Sequence, residues 1–189
     1  MTKRRSFLMT AGAAAIPGLG APDGLGARLA AAMSAPVLKQ GLTTSPVPIA
    51  SVELLKNGKS FIVRVRSKDG AEGFSEAHSS VMSAAYPILI RKVAPLLVGK
   101  DARELDALLD GVYLANSNYK WQGLPFWVSV AATEIAVLDM LGKTVKKPLG
   151  ELIGSVVRQE IPVYRASGNR GNSPEAEIAY LQKIVGETG

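Results

Sequence analysis

The sequence predicts an α+β fold: a three-stranded antiparallel meander, a three-helix bundle, and then one separate β/α unit. Three observations lead there. Two runs of alternating apolar and polar residues flank Asn57-Gly58. A nearly all-apolar helix runs from Phe126 to Leu141. After it come the strand-like run Ile161-Pro162-Val163-Tyr164 and a single helix, and the sequence stops at Gly189.

The first 48 residues stand apart. Lys3-Arg4-Arg5-Ser6-Phe7-Leu8-Met9 precedes a weakly apolar, Ala- and Gly-rich run from Thr10 to Leu19. A basic start followed by a short apolar run reads as an export leader. The paired arginines, with Phe7 and Leu8 close behind, resemble the twin-arginine type. Cleavage is expected near Ala27, Ala32 or Ala35, and the sequence does not choose among them. Residues 1–35 are therefore assigned to the leader, and 36–48 to a linker. The leader points to a periplasmic or otherwise exported protein.

Setting this segment aside removes most of the net charge of +6. Residues 1–48 hold five basic side chains and one acid, which leaves 17 basic against 15 acidic of the 22 and 16 overall. A clustered basic face, the footprint of a nucleic-acid binder, loses its main support. Cysteine is absent, so disulfides and thiolate chemistry are excluded.

Ile49 to Lys56 and Ser60 to Arg66 form the first two strands. Asn57-Gly58 predicts a type I′ turn, in which both central residues take φ > 0. Phe61, Val63 and Val65 alternate with Arg64 and Arg66, as in a sheet with one wet face. Asp69-Gly70 turns the chain into a third strand, Ala71 to Ala77. His78 to Ala84 reads as a loop, and Pro87 lies near the start of a helix reaching about Val98, with Pro95 as a kink or end. Asp101-x-x-Glu104 resembles a capping box, and Leu105, Leu108, Leu109 and Val112 follow one helical face.

The helix from Phe126 to Leu141 has no wide polar face, which marks it as buried on several sides. At 16 residues, with Glu134 and Asp139 inside it, it falls short of the ~20 apolar residues of a membrane span. No stable span is expected once the leader is removed. Glu134 and Asp139 project about 140° apart on a helix, so they cannot converge on one substrate atom. Gly142 suits a left-handed cap, and Pro148 keeps the helix from resuming. Glu160 to Ala166 then reads as a strand and Ser167 to Asn172 as a loop. Ser173 caps a last helix that begins at Pro174.

Three separated segments carry a family resemblance. They are Ala132-Thr133-Glu134-Ile135-Ala136-Val137-Leu138-Asp139-Met140-Leu141-Gly142-Lys143, then Lys147-Pro148-Leu149-Gly150-Glu151-Leu152-Ile153-Gly154, then Ile161-Pro162-Val163-Tyr164. In this order they resemble the mandelate racemase/muconate lactonizing branch of the enolase superfamily. The resemblance covers roughly Pro48 to Gly189. It implies an enolase-type capping domain over residues 49–154. Residues 155–189 are then the first strand and helix of a truncated TIM-like (β/α) barrel, a fold that takes about 250 residues when complete.

The implied chemistry is abstraction of a proton α to a carboxylate, giving a racemase, epimerase or dehydratase whose substrate is a carboxylate, a sugar acid being one form of it. Such sites use a Lys or His base with Mg²⁺. In this family those groups sit on later barrel strands, so the resemblance implies no catalytic residue and no metal ligand in this chain. Mg²⁺ is expected on residues beyond its end. The single histidine, His78, already rules out a multi-histidine metal site here. A homo-oligomer is expected of the full-length protein.

What the resemblance leaves to this chain is substrate contact. Cap loops of the family close over the barrel mouth, and the matching loop here, Glu76 to Met82, offers His78 and Ser79. Asn118, Tyr119 and Lys120 suit a polyhydroxylated acid, or equally a loop packed between domains or an oligomer contact. Asn169 and Arg170 follow the first barrel strand, where an Arg pairs with a carboxylate bidentately. A different class of function also fits the sequence: a non-catalytic periplasmic binding or assembly protein that retains the cap fold.

Overall fold

The computed structural model describes residues 25–115, 121–164 and 171–188. The chain divides into two units, Met1–Ser155 and Val156–Gly189, each considered by itself.

In the first unit, β1 (Ile49–Asn57), β2 (Ser60–Ser67) and β3 (Glu72–Ala77) form an antiparallel sheet in the order β1-β2-β3. Val52 faces Val65 and Leu54 faces Val63, so the period-2 pattern turns Phe61, Val63 and Val65 into the core. The hairpin forms, but its turn lies one residue later than the sequence predicts. Asn57 pairs with Ser60, leaving Gly58-Lys59 as the loop. Only Gly58 has a positive φ, 57°, which is the pattern of a type II′ turn rather than I′. Lysine in the second position resists positive φ, whereas glycine accepts it freely.

The expected loop from His78 to Ala84 is helical. α2 spans Ser79–Ile88, and Met82, Ala85 and Ile88 are buried along one face. The missed start signal is His78, whose side chain caps the helix as a serine or asparagine would. Pro87 therefore lies inside the helix, not near its start. The helical stretch nevertheless reaches Leu97, close to the expected Val98, with an irregularity immediately before Pro95 in place of an end there. A π-helical turn at Leu89–Val93 lets the Ala94 N–H reach Leu89 O, and α3 (Ala94–Leu97) continues beyond it. A 3₁₀ turn (Ala102–Glu104) leads into α4 (Leu105–Leu114).

α5 (Gly123–Val145) is the predicted apolar helix, extended at both ends. Ser79–Leu97 and Gly123–Val145 are each long and apolar enough, by length and composition, to cross a membrane, and more than half of the second is buried within the unit. α5 lies on β3 at very close range. The Ser75 hydroxyl donates to Ala132 O at 2.5 Å, and a Cβ on Gly73 would lie 2.0 Å from Ala136 O. Gly142 is not the left-handed cap. Lys146 takes that role with φ 55° and ψ 43°, and the Lys147 N–H returns to Gly142 O at 2.9 Å. Gly142 serves that return instead, because a Cβ there would meet Lys147 O at 2.9 Å. α6 (Leu149–Ile153) follows and buries Leu152.

Upstream, α1 (Leu25–Ser34) is a short helix. The expected linker, 36–48, is strapped to the domain. The Val37 N–H donates to Asp106 Oδ2 at 2.9 Å, the Lys39 N–H to Leu152 O at 2.8 Å and the Val47 N–H to Asp101 Oδ1 at 3.1 Å. Leu38 and Val47 are buried. Two apolar side chains spaced nine apart show no period, so composition alone hides the strap.

Asp101 is the main anchor. It caps the 3₁₀ turn through the Arg103 N–H, and the Arg103 guanidinium clamps it at 2.7–3.2 Å while also donating to Thr43 O and Thr44 O. The Arg103 hydrogen bonds, followed by the Val47 N–H, hold the Asp101 carboxyl below its ordinary range. A depressed folded pKa stabilises the domain fully above the unfolded value of about 3.9, and the gain disappears as pH falls through the folded value. Asp101→Asn should therefore flatten the acid limb of a stability–pH curve. An unchanged acid limb in urea titrations at pH 2–5 would contradict this.

In the second unit, the expected strand does not form within its described part. Residues 156–164 have no ladder partner, and Val163 and Tyr164 are about 90% exposed. A strand is held by a neighbour's N–H and C=O groups, and one strand alone has none. Residues 165–166 of that strand lie outside the described residues. α7 (Pro174–Thr188) forms where expected, with Ser173 Oγ accepting the Ala176 N–H.

Candidate functional site

The end of the sheet where β3 runs into α2 brings two of the sequence's candidates beside the hairpin tip. Phe61 pairs with Ala77, so the tip Asn57–Ser60 lies next to the chain entering His78 and Ser79. His78 is exposed and Ser79 half-buried. His78 Nδ1 accepts the Val81 N–H at 3.5 Å and lies 3.1 Å from Ser80 Oγ. With Nδ1 used as the cap acceptor, Nε2 is the ring nitrogen not used in the cap. The exposed histidine is thus held at the head of a helix.

Asn118, Tyr119, Lys120, Asn169 and Arg170 lie outside the described residues. The 116–120 segment is bracketed by an aromatic cluster that sequence reasoning did not single out. Tyr113 stacks on Trp127 at 5.6 Å, and Phe126 meets Trp127 edge-on at 5.0 Å. The adjacent Phe126-Trp127 pair and Tyr113 were its only sequence signal.

The outward sheet face carries an ionic ladder. Arg64 bonds Glu53 at 2.5 Å, and Arg66 Nε bonds Glu72 at the same distance. The Arg64 hydrogen bond, then that from Ser51, holds the Glu53 carboxyl below its ordinary range. Partly exposed pairs of this kind orient side chains more than they stabilise.

Asp139 Oδ2 accepts the Phe74 N–H at 2.8 Å and the Lys143 ammonium at 2.6 Å. It thereby covers a backbone donor on the open edge of β3. A hollow of about 540 Å³ beside it is lined by Phe74, Ile135, Asp139, Lys143, Lys147 and Leu149, among others, and does not include His78. Among the described residues, no three His, Asp or Glu side chains gather closely enough to hold a metal ion. The residues described here do not fit a magnesium centre, and no chemical step is assigned through one.

A three-stranded antiparallel meander followed by helices is the α+β architecture of an enolase-type capping domain. Residues 32–154 match the family model described as mandelate racemase / muconate lactonizing enzyme, N-terminal domain, and the chain belongs to that family within the enolase superfamily. A D-galactonate dehydratase family member from Paenibacillus sp. is 31% identical over 140 residues, covering 72% of this chain and 32% of that protein. Arabinonate dehydratase of Saccharolobus solfataricus is 26% identical, covering 64% of this chain and 29% of the relative. A mandelate racemase/muconate lactonizing enzyme from a marine actinobacterium, solved with magnesium, is 26% identical. It superposes with a TM-score of 0.63 over 76% of this chain and 42% of its own. The chain spans about a third of the length of the curated relatives it matches.

Proposed function

We propose that this chain is the substrate-facing cap of an exported, magnesium-dependent racemase, epimerase or dehydratase acting on a carboxylate such as a sugar acid. Family membership over residues 32–154 carries the reading, and the dehydratases among its relatives favour a sugar acid. Export rests on the leader read in residues 1–35. In this reading the proton-abstracting base and the magnesium ligands belong to groups this chain does not supply. Its own residues bind and orient the substrate: the sheet end offers His78 Nε2 and Ser79, suited to the hydroxyl-bearing end of a sugar acid.

The full-length protein that the family resemblance implies, assayed with Mg²⁺ on a panel of sugar acids, is expected to turn over at least one of them; no turnover on any would overturn the proposal. His78→Asn separates contact from capping, because asparagine also caps helices well. It should raise KM about ten-fold, the loss of one hydrogen bond of about 1.4 kcal/mol, with kcat and Tm nearly unchanged. An unchanged KM would remove His78 from the substrate's surroundings.

A further inference from the structure

We infer that a leader peptidase cuts this chain between Ala32 and Met33. The inference rests on the export reading above and deepens it by choosing one bond. The structure divides the N-terminal segment into an accessible part and a committed part. In α1, Leu29 is 59% and Met33 38% exposed, and residues 31–36 are all exposed. Commitment begins at Val37, whose N–H is bonded to Asp106, and Leu38 beside it is buried. A cut downstream of Val37 would sever the strap, and a cut before it leaves the strap whole.

Within the accessible part the motif favours one position: a cut after Ser34 also places small residues, Ala32 and Ser34, but a single cut presents Ala-x-Ala. Leader peptidases take small residues immediately before the cut and two residues further back, in an A-x-A-like pattern. A cut after Ala35 places Met33 in the distal position and Pro36, which lacks an N–H, just beyond the bond. A cut after Ala27 places Leu25 in the distal position. A cut after Ala32 presents Ala30 and Ala32, the one Ala-x-Ala triplet in residues 25–48. Helicity is little obstacle, since an exposed ten-residue helix is marginal in water and is drawn into an extended form at small cost. Hydrolysis adds one water across the peptide bond, leaving a carboxylate on Ala32 and an ammonium on Met33. Met33 to Pro36 then form a short tail before the strap.

The test is to express the full chain in an exporting bacterial host and determine the N-terminus of the exported product by Edman degradation and intact mass. Met33 is expected. Ala32→Leu should lose most of the processed form, while Ala27→Leu should process normally. A different N-terminus overturns the inference, as do ragged ends equally abundant in Ala32→Leu, which would mean general proteolysis of an exposed helix. A chain kept whole in the cytoplasm overturns the export reading too, whereas an exported chain cut elsewhere overturns this site alone.

Discussion

Replacing Gly73 with alanine is expected to lower the unfolding free energy of the first unit by about 3 kcal/mol, at the upper end of the range for overpacked cores. The added Cβ would lie 2.0 Å from Ala136 O and 2.3 Å from Met140 N. Both are backbone atoms in the buried stretch of α5, so no side-chain rotation relieves the clash. Either β3 or the helix must shift, and the Ser75–Ala132 hydrogen bond lies on the same contact. Gly111→Ala in α4 is the matched control. A Cβ there meets nothing within 4 Å, and removing a helical glycine should raise stability by about 0.5–1 kcal/mol. Urea midpoints of the two variants moving in opposite directions would bear this out. A Gly73→Ala midpoint equal to wild type would mean the helix and strand are further apart than described.

Truncation of the strap should have an effect of similar size. A chain beginning at Pro36 is expected to match the full chain in stability, because residues upstream of Val37 contribute little to the core. A chain beginning at Pro48 loses the buried side chains of Leu38 and Val47. At roughly 1.5–3 kcal/mol for each buried aliphatic side chain, the loss is about 4 kcal/mol, a large part of the 5–15 kcal/mol of a typical domain. Thermal unfolding of the two truncations checks this, and equal Tm values would contradict it.

The parts of the fold legible in the sequence were those where periodicity is strong. Phe61, Val63 and Val65 placed β2, and the apolar run around Ile135 to Leu141 placed α5. Several local features stayed hidden because they depend on one side chain meeting a distant partner. His78 caps α2 through its ring, a role sequence rules give to Ser, Thr, Asp or Asn. Gly142 looked like a helix terminus, yet its missing side chain makes room for the Lys147 carbonyl. The strap is hidden in the sequence because its anchors, Asp101 and Asp106, lie 54 and 69 residues from the N–H groups they bind. The candidate site was legible in part: the end of β3 at Ala77 follows from the strand pattern, whereas the segment read as a loop from His78 to Ala84 is the first half of α2. The segments holding Asn118 to Lys120 and Asn169 to Arg170 lie outside the described residues.

In the function proposed above, this chain shapes substrate recognition and the proton-abstracting chemistry belongs elsewhere. The direct measurement is deuterium exchange α to the carboxylate, followed by ¹H NMR, for the purified 189-residue chain with Mg²⁺ and a panel of sugar acids in D₂O. Exchange at the buffer rate for every substrate is the predicted result; chain-dependent exchange on any of them would contradict the account.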